Sequence, residues 1–451
     1  MSDAAEAFEV RPARTSPLRA ADFRRLLIGD SVARLGYQVA QFMLPLLAVT
    51  TLHASPFQVG LVSVSQAGPV IVLSLVAGLV ADRVSARNLI MLCNLIRAAG
   101  IGLLGLLYGL DGLAFWPLLL TGAVIGSAAV FYDVGYQSTV PKVLEGDRLI
   151  RGNGYLQASF NATLTSGPAL AGLLVEDAGV AGTLGVVGGL FVAALLAYRS
   201  LQAGAAVRGA QARPSLVRGL KFTWHCRPIR DLCVQSGLFN LFEQAFETAF
   251  LLYAVRTAGL SGGEIGLVVG AGGVGAVAGS LTIGHFSRRL HAGWSAITGQ
   301  VACGVILLAA ALLAQPLKSQ AGAVFAIAFC LNGAALSLYN VFVASIRQAL
   351  SPREFMGAVT AAYRLVSFGP IPLGGLLGGV LVELVGAPYA LTAVAGALLL
   401  SSLHLLPSPV KQLRSVEDAG SIAPSSPPET VSDEEGATAA QGAAGAARDR
   451  G

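Results

Sequence analysis

Two carboxylates near the middle of a long apolar segment are the residues best placed to do chemistry. Glu243 and Glu247 are four residues apart, so a helix presents both side chains on one face, with Asn240 one turn before them. If this helix enters a membrane near residue 231, a rise of about 1.5 Å per residue places Glu243 roughly 18 Å deep. A carboxylate held away from water has its charged form disfavoured, so it can bind and release a proton. The pair predicts a site for a proton or a cationic substrate; structural pairing with a polar neighbouring helix is the alternative.

A second polar stripe lies in the first apolar segment of the chain. Asp30 and Arg34 are four residues apart, and Gln38 and Gln41 continue the same helical face. An ionisable side chain inside a membrane costs roughly 3 kcal/mol or more, which makes it a functional hypothesis. We expect this stripe to line the wall of a site opposite the two glutamates. An intrahelical ion pair of Asp30 and Arg34 that neutralises both charges is the alternative.

The composition requires a bilayer around the elements that carry these residues. The chain has 451 residues, of which 54% are hydrophobic and 12% are charged, and this leaves too little polar surface for a soluble globule. A bilayer core about 30 Å thick needs roughly 20 apolar residues per helix. The apolar segments also lack the two-residue alternation of a membrane barrel. The predicted spans are 23–48, 56–81, 88–110, 114–138, 152–176, 179–199, 231–255, 262–286, 292–315, 320–345, 355–382 and 386–406.

Arginine and lysine residues set the expected orientation of these twelve helices. Basic side chains are concentrated before the first span and in every second loop, which is typical of the cytoplasmic side of a membrane. The sequence therefore predicts that both termini are cytoplasmic. The net charge of +5 reflects this topology rather than a nucleic-acid surface, because the basic residues are spread over many loops. The basic residues in every second loop, on the predicted cytoplasmic side, include Arg83, Arg87, Lys142, Arg148, Arg151, Arg288, Arg289, Arg347 and Arg353.

An internal repeat with an offset of about 206 residues divides the chain into two halves. Residues 55–62 match residues 261–268, and Gly167-Pro168 corresponds to Gly369-Pro370 at nearly the same offset. Two halves in the same orientation place a substrate site between them, near the middle of the membrane. The predicted divisions are an N-terminal segment 1–22, a six-helix half 23–199, a cytoplasmic linker 200–230, a second six-helix half 231–406 and a disordered tail 407–451.

Several familiar site motifs are absent or spurious. Gly270, Gly272 and Gly275 spell the dinucleotide fingerprint, but they lie within a span and lack the strand and the acidic residue that the fingerprint needs. Small residues at this spacing favour close helix packing instead. The histidines and cysteines form no metal-binding pattern. The absence of a P-loop for ATP disfavours a primary pump. We therefore expect the proton gradient to be the energy source, and we expect no enzyme activity, no metal and no cofactor.

The loop after the second predicted span carries a specific signature. Gly78, Asp82, Arg83 and Arg87 lie at the spacing G-x-x-x-D-R-x-x-x-R, which resembles the signature loop of the major facilitator superfamily. The resemblance implies a fold of two six-helix repeats. It also implies a charge network in which Asp82 and the two arginines lock a cytoplasmic gate.

Two further stretches resemble a more limited group within that superfamily. Gly167, Pro168 and Gly172 look like a degenerate form of the efflux-associated motif, which implies export more than import. Residues 131–141 and 363–375 are similar to the bacterial subgroup that contains enterobactin-exporter-like and macrolide-efflux-like proteins. The similarity extends over about residues 20–406.

The sequence thus predicts an all-α transporter with twelve transmembrane helices in the cytoplasmic membrane of a bacterium. We expect it to export a small amphipathic, natural-product-like or drug-like molecule by proton antiport with alternating access, and so to contribute to antibiotic resistance or natural-product release. Its partners would be the small-molecule substrate and the lipid bilayer, without nucleic acid, and a monomer would suffice. An importer of the same fold and a membrane sensor or scaffold without transport are the alternatives.

Overall fold

Helices account for the regular structure of the chain. A computed structural model describes residue 18 and residues 20–144, 147–201, 216–286, 291–351 and 356–415. Within these ranges the chain forms fifteen α-helices and no strand. They are α1 (Ala21–Thr50), α2 (Pro56–Ala67), α3 (Pro69–Arg83), α4 (Ala86–Gly109), α5 (Phe115–Val143), α6 (Asp147–Asp177), α7 (Gly179–Arg199), α8 (Leu216–His225), α9 (Arg227–Arg256), α10 (Gly262–Phe286), α11 (Ala292–Leu313), α12 (Ala321–Leu350), α13 (Met356–Phe368), α14 (Ile371–Val385) and α15 (Ala387–Ser402).

The helices run between two ends of one bundle. We call the end at which α1 begins the near end, and the end at which α1 stops the far end. At the near end, the Arg25 guanidinium donates a hydrogen bond to the Ser200 carbonyl, just after α7, at 3.0 Å. At the far end, Arg256 in the last turn of α9 donates to the Ala54 carbonyl, just before α2. The two ends are used throughout to locate contacts.

The prediction of an all-helical membrane protein is confirmed for the described part of the chain. Ten helical segments there are long and apolar enough to cross a membrane. The helices α6 and α9 are 31 and 30 residues long but more polar, and α9 carries the predicted stripe of Asn240, Glu243 and Glu247. The two most polar long helices therefore belong to different halves of the repeat.

Two of the predicted spans are interrupted by proline. The span predicted at 56–81 consists of α2 and α3, which meet at Gly68-Pro69, and the span at 355–382 consists of α13 and α14, which meet at Gly369-Pro370. Proline has no backbone N–H and its ring obstructs the preceding turn, so the regular hydrogen-bond ladder is broken there. The chain continues in nearly the same direction, because Gly68 keeps right-handed helical dihedral angles.

The two halves pack against each other along two seams. In one seam α2 packs on α14, and in the other α6 packs on α10. Within the first half α1 packs on α6 and α7, and α4 on α5 and α7; within the second half α9 packs on α14 and α15, and α12 on α10 and α11. Because the repeat relates α2 to α10 and α6 to α14, the two seams are versions of the same contact.

The glycines of α10 serve helix packing, as the sequence indicated. A Cβ on Gly266 would lie 2.6 Å from the Pro168 carbonyl oxygen, and one on Gly279 would lie 2.7 Å from the Ala334 Cα. Both distances are shorter than real Cβ contacts, so only glycine lets α10 approach α6 on one face and α12 on another. No nucleotide-binding turn exists at this segment, because it is a continuous helix.

The predicted linker and tail both contain packed structure. The linker predicted at 200–230 includes α8 and the first turn of α9, and Phe222 of α8 is buried against the second half. The tail predicted to be disordered from residue 407 begins with a short 3-10 helix, Pro409–Gln412. The buried side chains of Val410 and Leu413 and the Gly293 N–H to Leu413 carbonyl bond at 2.9 Å fix this stretch on α11. Residues 202–215 and 416–451 lie outside the described part.

Candidate functional site

The two predicted glutamates lie together in the middle of α9. The Glu247 side chain is exposed, although about nine residues of helix separate it from the far end and about twenty from the near end. Its Oε2 accepts a hydrogen bond from the Gln244 side chain at 3.3 Å. Glu243 is half-buried and lies beside Asn332 of α12 and Glu247. Within the described residues, neither carboxylate has a lysine, arginine or histidine within salt-bridge distance.

The predicted stripe of α1 contains a closed ion pair. Asp30 is completely buried, and both of its carboxylate oxygens accept from the Nε of Arg34 at 2.9 Å. The Tyr132 hydroxyl donates a third hydrogen bond to Asp30 at 2.9 Å and also lies 2.8 Å from the Tyr198 hydroxyl. The intrahelical pair is thus the arrangement present, and Asp30 does not face an open space.

Arg34 continues this network toward α5. Its Nη2 lies 3.5 Å from Asp133, whose side chain is 42% exposed. The guanidinium also lies over the rings of Tyr136 and Phe160, at 5.0 and 5.1 Å from their centroids. A cation over an aromatic face is attracted by the negative face of the ring. Two acids and these rings therefore hold Arg34 in one position.

Arg97 of α4 is a second buried cation in the first half. Its guanidinium carbon lies 4.8, 5.3 and 5.7 Å from the ring centroids of Tyr132, Tyr37 and Phe191. The side chain is only 2% exposed, and its Nε has no hydrogen-bond partner. Arg97 braces three helices through these rings. Together with Asp30, Arg34 and Asp133, Arg97 forms a cluster inside the first half that contains two positive and two negative charges.

The other polar residues predicted for the site contact neighbouring groups of the protein. Gln41 donates to the Tyr37 hydroxyl at 2.6 Å, and Asn240 donates to the Ser367 carbonyl of α13 at 2.7 Å. Gln38 lies against Gly167, where even a methyl group would clash with its Cβ. The efflux-motif helix α6 thus packs through Gly167 on α1 and, at the next residue, through Pro168 on α10.

The predicted gate residues are only partly within the described part of the chain. Arg83 ends α3 and is exposed. Arg87, the second residue of α4, donates to the Leu201 carbonyl at 3.2 Å, so it fastens α4 to the end of α7 within the first half. Gly78 and Asp82 belong to α3, but their side-chain surroundings lie outside the described part. The predicted charge network of Asp82 stays a prediction.

A polar stripe on α6 was not singled out from the sequence. Gln157, Asn161 and Thr165 are spaced four residues apart; Gln157 and Asn161 are exposed and Thr165 is half-buried. Thr165 faces Gly273 of α10, where a Cβ would touch the threonine side chain. The same face therefore points at the second half, and its near-end portion is open. The four-residue spacing of these side chains was the available signal.

All hydrogen bonds between the halves in the described residues lie at the far end. They join Glu176 to Ser261 and Gly263, Glu383 to Phe57, and Arg256 to Ala54. Toward the near end, Gln157 and Asn161 on one half and Asn340 on the other are exposed. The described hydrogen bonds therefore join the halves at the far end, and the exposed polar side chains between the halves lie toward the near end.

Comparison with known proteins identifies the group to which this architecture belongs. The model of the transmembrane secretion effector family matches residues 13–439, which is most of the chain. The chain belongs to the transmembrane secretion effector family. This membership confirms the resemblance to bacterial major facilitator exporters.

Relatives of this secretion effector family member are transporters. The multidrug efflux pump Tap of Mycolicibacterium fortuitum is 25% identical over 367 residues, which are 77% of this chain and 86% of that protein. A bacterial homologue of the iron transporter ferroportin in an inward-facing state has a TM-score of 0.68 at 21% identity, covering 87% of this chain and 99% of the other. The nucleoside transporter NupG (D323A mutant) also has a TM-score of 0.68, at 16% identity, covering 86% and 99%. The chain is thus a multi-pass membrane transporter and not an enzyme.

In this secretion effector protein an arginine braces the near end of the second half. The Arg347 guanidinium carbon lies 3.9 Å from the ring centroid of Tyr363. The Ser236 hydroxyl lies 2.7 Å from the hydroxyls of both Tyr363 and Tyr339. Arg347→Gln is expected to lower the free energy of unfolding by about 1 kcal/mol through loss of the cation–π contact. The measurement is the alkylation rate of buried Cys233, which should rise.

The matched control is Arg227→Gln, because Arg227 is 60% exposed and lies 3.9 Å from Asp231. Asp231 keeps Arg230 at 3.5 Å when Arg227 is replaced, and the ion pair of an exposed arginine contributes about 0.5 kcal/mol or less, so the labelling rate of Cys233 should stay near that of the wild type. Equal rates in the Arg347 and Arg227 variants would contradict the bracing role.

Proposed function

We propose that this transporter exports a small amphipathic, natural-product-like or drug-like molecule in exchange for protons. The observation that carries the proposal is the pair Glu243 and Glu247, two adjacent carboxylates at mid-depth without a basic partner in the described residues. The two negative charges repel each other at this short separation, so one proton or one cationic substrate group bound between them relieves the repulsion. Exchange of the two occupants is the chemistry of an antiporter.

The contrast between the halves supports this assignment. In the first half, Asp30, Arg34, Asp133 and Arg97 balance one another, and the Asp30 carboxylate is enclosed. In the described part of the second half, Glu243 and Glu247 have no cation within salt-bridge distance. A charge that is already compensated gains little from binding a proton, whereas an uncompensated acid gains much. Proton binding therefore belongs to α9 rather than α1, and the uncharged residues Gln38, Gln41 and Asn240 remain as substrate contacts.

The proposed topology has twelve membrane spans with both termini in the cytoplasm. Besides the ten apolar segments, α6 and α9 exceed the roughly 20 residues that a span needs. Arg25, Arg83, Arg87 and Arg199 lie at the near end, which supports its cytoplasmic assignment. The protein would then open to the cytoplasm in this conformation, and rocking of the halves would expose the same site to the outside. One chain contains both halves, so we propose a functional monomer in the bacterial cytoplasmic membrane.

The proposed direction of transport, which is export, is based on the relatives and on the efflux-motif helix. The relative named above is a multidrug efflux pump, and α6 carries Gly167, Pro168 and Gly172 at packing positions. Both observations support export. An importer of the same fold is the rival, and the direction of substrate movement separates the two.

The test uses inside-out vesicles whose interior is acidified by respiration and reported by a pH-sensitive dye. Lipophilic antibiotics and siderophores are added in turn. An exporter moves the compound into the vesicle and protons out, so the dye signal of the wild type should recover when a substrate is added. Glu243→Gln keeps the shape of the side chain but cannot bind an additional proton, and we expect at least a tenfold slower recovery.

Asp111→Asn is the matched control, because Asp111 is exposed in the turn between α4 and α5, and asparagine tolerates its positive φ. It should behave as the wild type. Full proton exchange in Glu243→Gln would overturn the coupling site, and substrate leaving preloaded vesicles together with protons would indicate an importer.

A further inference from the structure

Two glutamates at the far end bind helix starts of the opposite half. Glu176, in the last turn of α6, accepts hydrogen bonds through Oε2 from the Ser261 hydroxyl and from the Gly263 backbone amide, both at 2.8 Å. Glu383, near the end of α14, accepts through Oε2 from the Phe57 backbone amide at 3.1 Å. We call these two contacts the first and second latch.

The latches are two copies of one arrangement. Phe57 is the second residue of α2, and Gly263 is the second residue of α10, exactly one repeat of 206 residues later. The two acceptors are separated by 207 residues, and each lies near the C-terminal end of its own helix. The same position in each half therefore donates, and the same position in each half accepts.

The geometry makes the two amides dependent on the opposite half. The first N–H groups of a helix have no partner within the helix. In both helices a capping box satisfies neighbouring groups from within the same half: Ser55 with Gln58 in α2, and Ser261 with Glu264 in α10. The amide of the second residue is left for the incoming glutamate. A carboxylate is also favoured by the partial positive charge of a helix N-terminus.

The surrounding seam fits an interface that opens and closes. Gly172 lies on Gly262 and Gly266, and Gly379 lies on Pro56 and Gly60, again as two related copies. Because backbone atoms touch directly here, few long side chains have to rearrange when the two halves separate. The carboxylates, together with the single Arg256 to Ala54 contact, therefore supply the charged hydrogen bonds between the halves at this end.

We propose that Glu176 and Glu383 form a duplicated latch that holds the far end closed and must break before substrate leaves on that side. The inference rests on the alternating-access part of the proposed function, and it is independent of proton coupling and of the substrate. Because the latches occupy different seams, each contributes separately. Removal of both carboxylates shifts the molecule toward a state that is open at the far end.

The test measures the far-end distance between the halves by double electron–electron resonance. Spin labels are placed at Asp111→Cys and Lys318→Cys, which lie in exposed turns of the first and second half, in a chain whose native cysteines are replaced. The double variant Glu176→Ala with Glu383→Ala is expected to raise the ratio of long to short distances at least tenfold. Each single variant should raise it about threefold.

Glu264→Ala is the matched control, because Glu264 accepts from Ser261 N at 2.8 Å within its own half. It should leave the distances unchanged. Unchanged distances in the double variant, or an equal shift in Glu264→Ala, would overturn the latch. If the double variant fails to fold, the two single variants and Glu176→Gln, which keeps one acceptor oxygen and should shift less than Glu176→Ala, decide the question. If the double variant shows the expected change in distance but the transporter exchanges no protons, the latch stands and only the proton coupling is refuted.

Discussion

Replacing Gly172 by valine is expected to abolish transport while the chain remains folded with its far end open. A Cβ at this position would lie 2.9 Å from the Gly266 Cα and 3.0 Å from the Gly262 carbonyl carbon. These are backbone atoms of the opposite half, so they cannot move aside as the end of a flexible side chain can. The molecule can avoid the clash only by separating α6 from α10. We expect the transport rate to fall at least tenfold.

The copy of this contact in the other seam provides an internal check. A Cβ on Gly379 would lie 3.1 Å from the Pro56 carbonyl carbon and 3.3 Å from the Gly60 Cα. Gly379→Val should therefore have the same kind of effect on transport, and both variants should lengthen the distance between spin labels in the far-end turns. Gly185→Val is the control, because nothing lies within 4 Å of a Cβ there. Wild-type transport in Gly172→Val would show that the seam does not have to close.

Removing the Asp30 carboxylate is expected to cause the largest loss of stability. Asp30→Ala leaves Asp133, at 3.5 Å, as the remaining ion-pair partner of the Arg34 guanidinium, which is 18% exposed. It also leaves the Tyr132 hydroxyl without its acceptor on Asp30. Breaking a buried ion pair by removing one partner costs about 3–5 kcal/mol, because a charge remains buried and uncompensated. Thermal unfolding in detergent, followed by a dye that reacts with newly exposed buried cysteines such as Cys93, measures this loss.

Two variants separate the ion pair from a general effect of substitution. Asp133→Ala removes a carboxylate that is 42% exposed and 3.5 Å from Arg34, so it should cost less than about 1 kcal/mol. Asp30→Asn combined with Arg34→Gln removes both charges and should recover most of the stability. A loss in Asp30→Ala no greater than that in Asp133→Ala would contradict this account.

The sequence was sufficient for features that depend on periodicity along one chain segment. Runs of about 20 apolar residues predicted the helices, four-residue spacing predicted that Glu243 and Glu247 share a face, and the 206-residue offset predicted two halves. The repeat also related the start of α2 to the start of α10, and the two amides that the glutamates bind, those of Phe57 and Gly263, are 206 residues apart. Each of these features is local, or a copy of a local feature.

Contacts between distant segments could not be predicted in the same way. Nothing in the residues around Arg97 indicates three aromatic rings from α1, α5 and α7. Likewise, the partner of Arg87 is a carbonyl at residue 201, which has no sequence pattern. Composition also misled at one boundary, because the Ser-Pro segment after residue 407 begins with apolar residues that pack on α11. Such contacts depend on which helices are neighbours, and that is decided by the whole fold.

The interruptions at Gly68-Pro69 and Gly369-Pro370 make the two sides of the molecule mechanically different. On one side, α10 is a continuous helix from the far end to the near end, and α6 stays helical through Pro168. On the other side, only α2 and α14 form the seam, while α3 packs on α5, and α13 packs on α8 and α9. A break in the backbone ladder lowers the resistance of a helix to bending. We therefore expect the parts that move as rigid bodies to be smaller than the six-helix halves, and the side bounded by α3 and α13 to bend more readily than the side of the α6–α10 seam.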